Sequence, residues 1–318
     1  MAALKSAVVA ALAAAVLAAH AHAQQIVGLG TTVGGATAQT NNAIAKIVTE
    51  HSGLQMRPQP MGGTDKYMIA VDRGELEFGS SNMMQYYMGV TGTDPTNNLK
   101  HQNLRLVATM MVFETGLITR NDTGIKTTAD LKGKRAPHGF PAATLFQIMM
   151  TGFLANGGAG WNDVTQVPVS DLAKHFEALK LGRTDMAIAA LGSAPVLELN
   201  SEAQSGVRYV DFATTGPGAQ KMLEIMPKTF YVDVDPASNL PGIVGKTHMM
   251  AFDYVLWANK DVADETVYRV AKAMYESEAE LKGTSPLWRS YAAKNIAKDQ
   301  GLPYHPGAEK LFKEVGLR

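Results

Sequence analysis

A strand that runs through a loop of small residues into a helix is the feature that most limits how this chain can fold. Residues 26–37 read IVGLGTTVGGAT, an apolar run followed by glycines and threonines, and a helical pattern begins near Ala36. Glycine lets the backbone approach a ligand closely, and the first N–H groups of a helix have no partner within the helix. The stretch therefore predicts a βα unit whose helix N-terminus faces a small polar ligand.

The same arrangement recurs at four later places, residues 62–64, 80–82, 138–144 and 192–194. Five such loops that converge on one crevice would form a receptor for a small molecule. The residues that we predict to bind it are Thr31, Thr32, Gly34, Gly35, Thr37, Gly63, Thr64, Ser81, Asn82, His138, Gly139, Phe140, Ala142, Ala143, Thr144, Gly192, Ser193 and Ala194.

Each of these loops also has a simpler interpretation. Hydroxyl and amide side chains cap helices whether or not a ligand is present, and glycines make tight turns. His138 could donate to a carboxylate of the ligand and titrate near neutral pH, or it could bond to a neighbouring carbonyl. The sequence leaves both interpretations open.

The first 23 residues have the pattern of an export signal. Lys5 is followed by an apolar run over Ala7–Ala19, and Ala21-His22-Ala23 gives a small-x-small cleavage pattern that ends at Ala23. The run is shorter than the roughly 20 apolar residues that a membrane-spanning helix needs. We expect a periplasmic protein that is cleaved after Ala23 and is not inserted in the membrane.

Charge and cysteine content exclude several classes of protein. Without Lys5 the chain has 28 basic and 29 acidic residues, a balance that does not favour nucleic acid as a partner. The chain has no cysteine, so disulfides, thiol catalysis and thiolate metal sites are excluded. The histidines that follow the leader lie singly along the chain, and neither G-x-S-x-G nor H-E-x-x-H occurs. We therefore expect no metal, no cofactor and no enzymatic activity.

Strand and helix patterns alternate from Gln24 onwards with short loops, which is typical of an α/β fold with mostly parallel strands. Two halves of similar size and a helical C-terminal part predict two domains. One would comprise residues 24–116 with 250–318, and the other residues 117–249. Two crossings between them would form a hinge, and ligands commonly bind in such a cleft.

Several ordered motifs resemble one family of transport proteins. They are the loop at 30–35, GGT at 62–64, DRGELEFG at 72–79, GIKTTADLKGKR at 124–135, the helix with its strand entry at 176–185, and PYHPGAEK at 303–310. In this order they resemble the TAXI-type solute receptors of TRAP transporters, which are periplasmic binding proteins.

The resemblance implies a type II periplasmic binding protein that closes on its ligand and delivers it to the membrane subunits of a TRAP permease. The ligand would be a small organic acid or amino acid of the glutamate or 2-oxoglutarate class. The chain departs from the family where Ala36-Thr37-Ala38-Gln39 follows the first Gly-Gly pair, and where His138-Gly139-Phe140 precedes the second-domain helix. The identity of the ligand therefore cannot be carried over.

Two alternatives remain. A binding protein that serves another type of permease has the same sequence features. A dinucleotide-binding oxidoreductase is suggested by Gly28 and Gly30 after a strand, but position 33 is valine where the fingerprint needs glycine. Residues 54–60 also contain no acidic residue to bind a ribose.

Overall fold

The computed structural model describes residues 24–95, 99–237 and 239–318. The expected leader, with its cleavage after Ala23, lies outside the described residues. Within those three ranges, no helix is both long enough and apolar enough to cross a bilayer.

Of the ten strands in the described ranges, eight form one mixed sheet and the other two form a small parallel sheet. The strands are β1 Gln25–Thr32, β2 Leu54–Met61, β3 Phe78–Asn82, β4 Leu104–Arg120, β5 Arg135–Gly139, β6 Thr165–Val169, β7 Ala187–Ala190, β8 Val207–Tyr209, β9 Thr229–Val234 and β10 Thr247–Asn259. The large sheet has the order β2-β1-β3-β10-β4-β7, with β9 paired to β10 and β8 to β4. The small sheet is the parallel pair β5 and β6.

Ten α-helices cover the sheets in the described part of the chain. They are α1 Gly35–His51, α2 Thr64–Asp72, α3 Met83–Thr91, α4 Leu145–Asn156, α5 Leu172–Lys180, α6 Ala194–Glu202, α7 Gly216–Ile225, α8 Asp264–Glu276, α9 Glu278–Thr284 and α10 Pro306–Glu314. We call lobe I the half that contains β1–β3, α1–α3 and α8–α10. Lobe II is the half that contains β5–β9 and α4–α7.

The expectation of mostly parallel strands is only partly correct. β1 runs parallel to β2 and β3, as the short loops and helices between these strands require. β10 instead runs antiparallel to β3, β4 and β9, and β4 runs antiparallel to β7 and β8. The α/β class itself is as predicted, but two long strands of opposite direction make its sheet mixed.

These two strands, β4 and β10, belong to both lobes. In lobe I the last part of β10 pairs with β3 on one side and with the first part of β4 on the other, whereas the other ends of β10 and β4 pair with β9, β7 and β8 in lobe II. The predicted domain boundaries, at residues 116–117 and 249–250, fall inside these strands. The division of the chain into two domains at those positions stays a prediction.

The core of lobe I is packed tightly around Trp257, which is fully buried on β10. Its ring stacks on Tyr67 with the ring centres 5.9 Å apart, and its Nε1 donates to Ser81 Oγ over 3.1 Å. Gly79 is paired with Trp257 across β3 and β10, and a Cβ at Gly79 would lie only 2.2 Å from the indole. The indole thus occupies the space that a side chain on this part of β3 would need.

We predict that Gly79→Ala destabilises the protein by about 1–3 kcal/mol, because the added methyl overpacks a core that cannot move aside. Gly283→Ala is the matched control. It adds the same methyl in helix α9, where the space is open, and should raise stability by up to about 1 kcal/mol through helix propensity. Urea unfolding of both variants measures the difference. Equal stability of the two variants would show that the indole of Trp257 moves aside to accommodate the methyl group.

Candidate functional site

A cavity lies between the two lobes, over the point where β4 and β10 cross from one lobe to the other. It encloses about 850 Å³ of atom-free space, its open mouth included. Its wall in lobe I comes from the ends of β1 and β3 and the starts of α1 and α2. Its wall in lobe II comes from β7 and the starts of α4, α5 and α6. Loops that are far apart in the sequence therefore meet at one place.

Half of the predicted binding residues line this cavity. They are Thr32, Gly35, Thr37, Gly63, Thr64, Asn82, Ala143, Thr144 and Ser193. Gly34 and Ala142 lie slightly further out, in the wide mouth of the cavity. All five predicted loops thus contribute to the same cleft. The fourth loop, residues 138–144, does so only from Ala142 onwards.

The remaining predicted residues of lobe I face away from the cavity. Thr31 and Ser81 precede the lining residues Thr32 and Asn82 by one position, so the alternation of a strand turns their side chains to the other face. Ser81 is occupied there by the hydrogen bond from Trp257.

The structure also separates His138 and its neighbours from the cavity. His138 packs edge-on against Trp161, with ring centres 4.8 Å apart, and lines a different surface groove together with Gly139. Phe140 is fully buried between the rings of Phe146 and His175. His138, Gly139 and Phe140 therefore lie outside the lining of the cavity, to which the same loop contributes Ala143 and Thr144.

Gly192 and Ala194 also lie outside the lining. Gly192 has a φ of +76° and makes a turn against Pro286, where a Cβ would lie 2.8 Å from the proline Cβ. The backbone N–H of Ala194 donates to Gln39 Oε1 over 3.2 Å. That bond joins lobe II to helix α1 of lobe I. These two residues shape the cleft and hold it together without facing the cavity.

Four helices begin at the cavity without a hydrogen bond from the side chain of their own N-cap residue, although at α6 the first N–H, of Ala194, already donates to Gln39 Oε1. They are α1 and α2 in lobe I, and α4 and α6 in lobe II, with Gly34, Gly63, Thr144 and Ser193 as their N-cap residues. The neighbouring helix α3 differs, because Asn82 Oδ1 accepts a hydrogen bond from Gln85 N–H. The start of a helix carries a partial positive charge and attracts anions. Both lobes thus present such ends to the same space.

The floor of the cavity is aromatic. Phe113 on β4 stacks on Tyr254 of β10 with ring centres 4.3 Å apart, and Phe252 lies 6.2 Å from Phe113. Tyr254 OH shares a 2.7 Å hydrogen bond with Thr37 Oγ1. Burial raises the pKa of Tyr254 to about 12, so its phenol stays protonated. The sequence analysis did not select Phe252 or Tyr254, and only their positions on a long strand at the expected hinge could have indicated them.

Two polar side chains on the cavity wall have unsatisfied atoms. Gln85 and Thr115 are 6% and 4% exposed, and neither Gln85 Oε1 nor Thr115 Oγ1 has a hydrogen-bond partner. Buried polar atoms in native proteins nearly always have partners, so each exception requires an explanation. A bound molecule that bonds to both atoms would supply one.

The lobes touch at the rim of the cavity. A Cβ at Gly63 would come within 2.8 Å of the carbonyl oxygen of Ala142, so the two lobes approach at backbone distance there. Together with the bond from Ala194 to Gln39, this contact describes a closed cleft.

His175 fixes the lobe II wall from behind. Its Nδ1–H donates to the carbonyl of Leu172 over 2.7 Å, and its Nε2 accepts from the N–H of Ile188 over 3.0 Å. Leu172 and Ile188 both line the cavity. Burial lowers the pKa of His175, and its two backbone bonds suit the neutral ring. The imidazole therefore positions α5 against β7 as an uncharged group.

Glu50, His51 and Glu280 form a surface group with the spacing of metal ligands, away from the cavity. Lys46 Nζ lies 3.1 Å from Glu50 and 2.5 Å from Glu280, so an ammonium already balances both carboxylates. We assign no metal to this group.

Solved structures share this fold at low sequence identity. A periplasmic transporter is 12% identical, with a TM-score of 0.60 over 93% of this chain and 94% of that chain. PhnD1 from Prochlorococcus marinus, solved in complex with methylphosphonate, is 10% identical, with a TM-score of 0.56 over 92% and 99%. A binding protein component of an ABC phosphonate transporter from Pseudomonas aeruginosa is 10% identical, with a TM-score of 0.53 over 92% and 85%.

The fold is therefore the two-domain, type II periplasmic binding protein fold, with an α/β architecture and a mixed sheet. A model of the NMT1-like family matches residues 29–316, which is most of the chain. The chain belongs to the NMT1-like family.

We predict that acid destabilises the protein as the pH falls below about 6.5, the ordinary pKa of histidine. The unfolded chain then binds protons that the buried neutral rings of His175 and His305 resist, since burial lowers both pKa values. The two neutral histidines contribute fully to the free energy of unfolding above pH 6.5. This contribution is lost as the pH falls towards the lower pKa values that the two rings have in the folded protein. His175→Gln should be less stable at pH 7.5 and lose less stability between pH 7 and 5. Urea unfolding at several pH values measures how the free energy of unfolding changes with pH in the original protein and in His175→Gln. The same dependence in both would contradict the role assigned to His175.

Proposed function

We propose that this protein is an exported solute receptor that captures a small organic molecule between its lobes and presents it to a membrane permease. The observation that carries the proposal is the convergence of four helix N-termini, two from each lobe, on one cavity with an aromatic floor. The unsatisfied Gln85 and Thr115 give independent support.

The shared site suggests how such a receptor would work. A solute that bonds to α1 of lobe I and to α4 of lobe II interacts fully with the closed form only, so its differential affinity shifts the population towards closure. β4 and β10 connect the lobes and are the elements that would bend. The closed form would be the one that the permease recognises.

The anionic part of the solute, a carboxylate in the sequence-based expectation, would lie at the helix starts. We propose Thr32, Gly35, Thr37, Gly63, Thr64, Asn82, Ala143, Thr144 and Ser193 as contact residues from the sequence, and we add Phe113, Phe252 and Tyr254 as the apolar floor. Backbone N–H groups also suit the oxygens of sulfonates and phosphonates, so the anion need not be a carboxylate.

The type of permease has two candidates. The sequence motifs resemble receptors of TRAP transporters. The related fold of a binding protein from an ABC phosphonate transporter supports the alternative of another permease type, and we favour an ABC permease for this reason. A gene for an ABC permease beside this one would support that choice, and a gene for TRAP membrane subunits in its place would reverse it.

We predict that at least one small acid raises the unfolding midpoint of the purified protein in a concentration-dependent way. The protein is first unfolded and refolded to remove captured solute, and is then screened against amino acids, 2-oxoacids, dicarboxylates, alkylsulfonates, methylphosphonate and nicotinamide dinucleotides. A ligand at a thousandfold excess over its Kd adds about 4 kcal/mol of stability. A shift with nicotinamide dinucleotides alone would favour the oxidoreductase instead.

We predict that Ala36→Asp abolishes this binding without loss of folding. Ala36 lies in the first turn of α1 and lines the cavity, so a carboxylate there would interact favourably with the helix start and compete with an anionic solute. Ala36→Asn adds the same volume without the charge and is the matched control. Isothermal titration with the solute found above should show at least a tenfold weaker affinity for the Asp variant than for the Asn variant. Equal affinities would show that α1 does not bind the anion.

A further inference from the structure

The charges around the cavity are unusual for a site that holds an anion. Asp65 is the one charged residue among the described residues of the lining, which include no lysine, arginine or histidine. Its side chain is 16% exposed, and its nearest cation is Lys66, 3.1 Å away but 59% exposed. An ion pair with so exposed a partner is screened by water and contributes little.

The mouth of the cavity is acidic as well. Asp171, Glu177, Glu198 and Glu202 line it with a single lysine, Lys180. Lys180 already forms ion pairs with Glu198 and Glu202. A molecule that enters between the lobes therefore passes several carboxylates, and a dianion would be repelled both in the mouth and beside Asp65.

The cavity nonetheless offers a place for one negative group. Helix α1 begins with Gly35, Ala36 and Thr37, which all line the cavity, and has no acidic residue in its first turn. Helices α4 and α6 likewise have no acidic residue there. Helix α2 differs because Asp65 occupies its first turn. At α6, however, the N–H of Ala194 is bonded to Gln39 and Pro195 has no N–H. The site thus has two helix starts that suit an anion, those of α1 and α4, and one that carries a carboxylate.

The floor adds two further requirements. Gln85 Oε1 and Thr115 Oγ1 are buried without partners, and an amide oxygen can only accept a hydrogen bond, so a solute that reaches Gln85 would donate to it. The rings of Phe113, Phe252 and Tyr254 suit an apolar body, and their faces also attract a cation.

We infer that the solute is a small zwitterion, with one anionic group, one protonated amine and an apolar or aromatic body. The anion lies at the start of α1, and the amine lies on the side of Asp65, which selects it. The inference rests on the proposed receptor function, because it names the class of solute that the same cavity binds. It also excludes the dicarboxylates that the sequence resemblance suggested.

The test uses matched ligands in isothermal titration of the unfolded and refolded protein. L-phenylalanine and L-leucine supply both charges. 3-Phenylpropionate lacks the amine, phenethylamine lacks the carboxylate, and L-glutamate, 2-oxoglutarate and methylphosphonate carry additional negative charge. We expect a zwitterion with an apolar side chain to bind, and the loss of either charged group to weaken binding at least tenfold.

The variant Asp65→Asn then tests whether the carboxylate of Asp65 binds the amine of the solute. It should lower affinity for the zwitterion at least tenfold and leave the affinity for 3-phenylpropionate unchanged or higher. Asp261→Asn removes the same charge at a site 79% exposed and away from the cavity, and should change neither affinity. Unfolding midpoints of both variants without ligand show that folding is intact.

The outcomes separate the inference from the function on which it rests. Binding of 3-phenylpropionate, L-glutamate, 2-oxoglutarate or methylphosphonate as tight as that of L-phenylalanine or L-leucine would overturn the zwitterion with one anionic group and keep the receptor. An Asp65→Asn variant with unchanged affinity for the zwitterion would overturn the role of Asp65. Failure of every compound in both panels would overturn the receptor function together with the inference.

Discussion

The antiparallel pairing of β4 and β10 is the constraint on which the rest of the structure depends. It places Phe113 directly opposite Phe252 and brings Tyr254 onto Phe113, so that one face of the pair becomes the cavity floor. The opposite face is tied to the C-terminal part of the chain, where Asp253 accepts hydrogen bonds from Lys298 and Gln300. Both lobes are built outwards from this pair, and its register therefore decides which loops meet.

The cavity attracts an anion weakly, through several helix starts, and also has acidic side chains at particular places. Helix starts supply partial charges that are fixed in space and need no side chain, whereas the charged side chains nearby are almost all carboxylates. A lysine or arginine clamp would attract any acid. Its absence from the described lining is the reason that we propose discrimination by the balance between one anion and one cation of the solute, together with the size of the apolar floor.

Sequence patterns predicted the βα units well because short loops and helix caps are local features. Strand β1 and helix α1, which were expected from residues 26–37 with the helix beginning near Ala36, lie at Gln25–Thr32 and Gly35–His51. The site was predicted in part. Loops at Thr32, Gly63 and Ser193 reach the cavity, whereas His138 resembles them in sequence and lies against Trp161 outside it. A loop with the right composition lines a cleft only if its strand ends there, and pairing partners that are distant in sequence decide where it ends.

The sequence by itself determined the α/β class and the small residues that leave helix starts open, because these depend on backbone conformations within a few residues. Asp65 and the aromatic residues are also present in the sequence, but no local pattern predicts that they lie close together. The tertiary structure alone decided that Asp65, Gln85, Phe113 and Tyr254 surround one cavity, since they lie on α2, α3, β4 and β10. Contacts between residues so far apart in the chain follow from strand order and register, which local patterns do not encode.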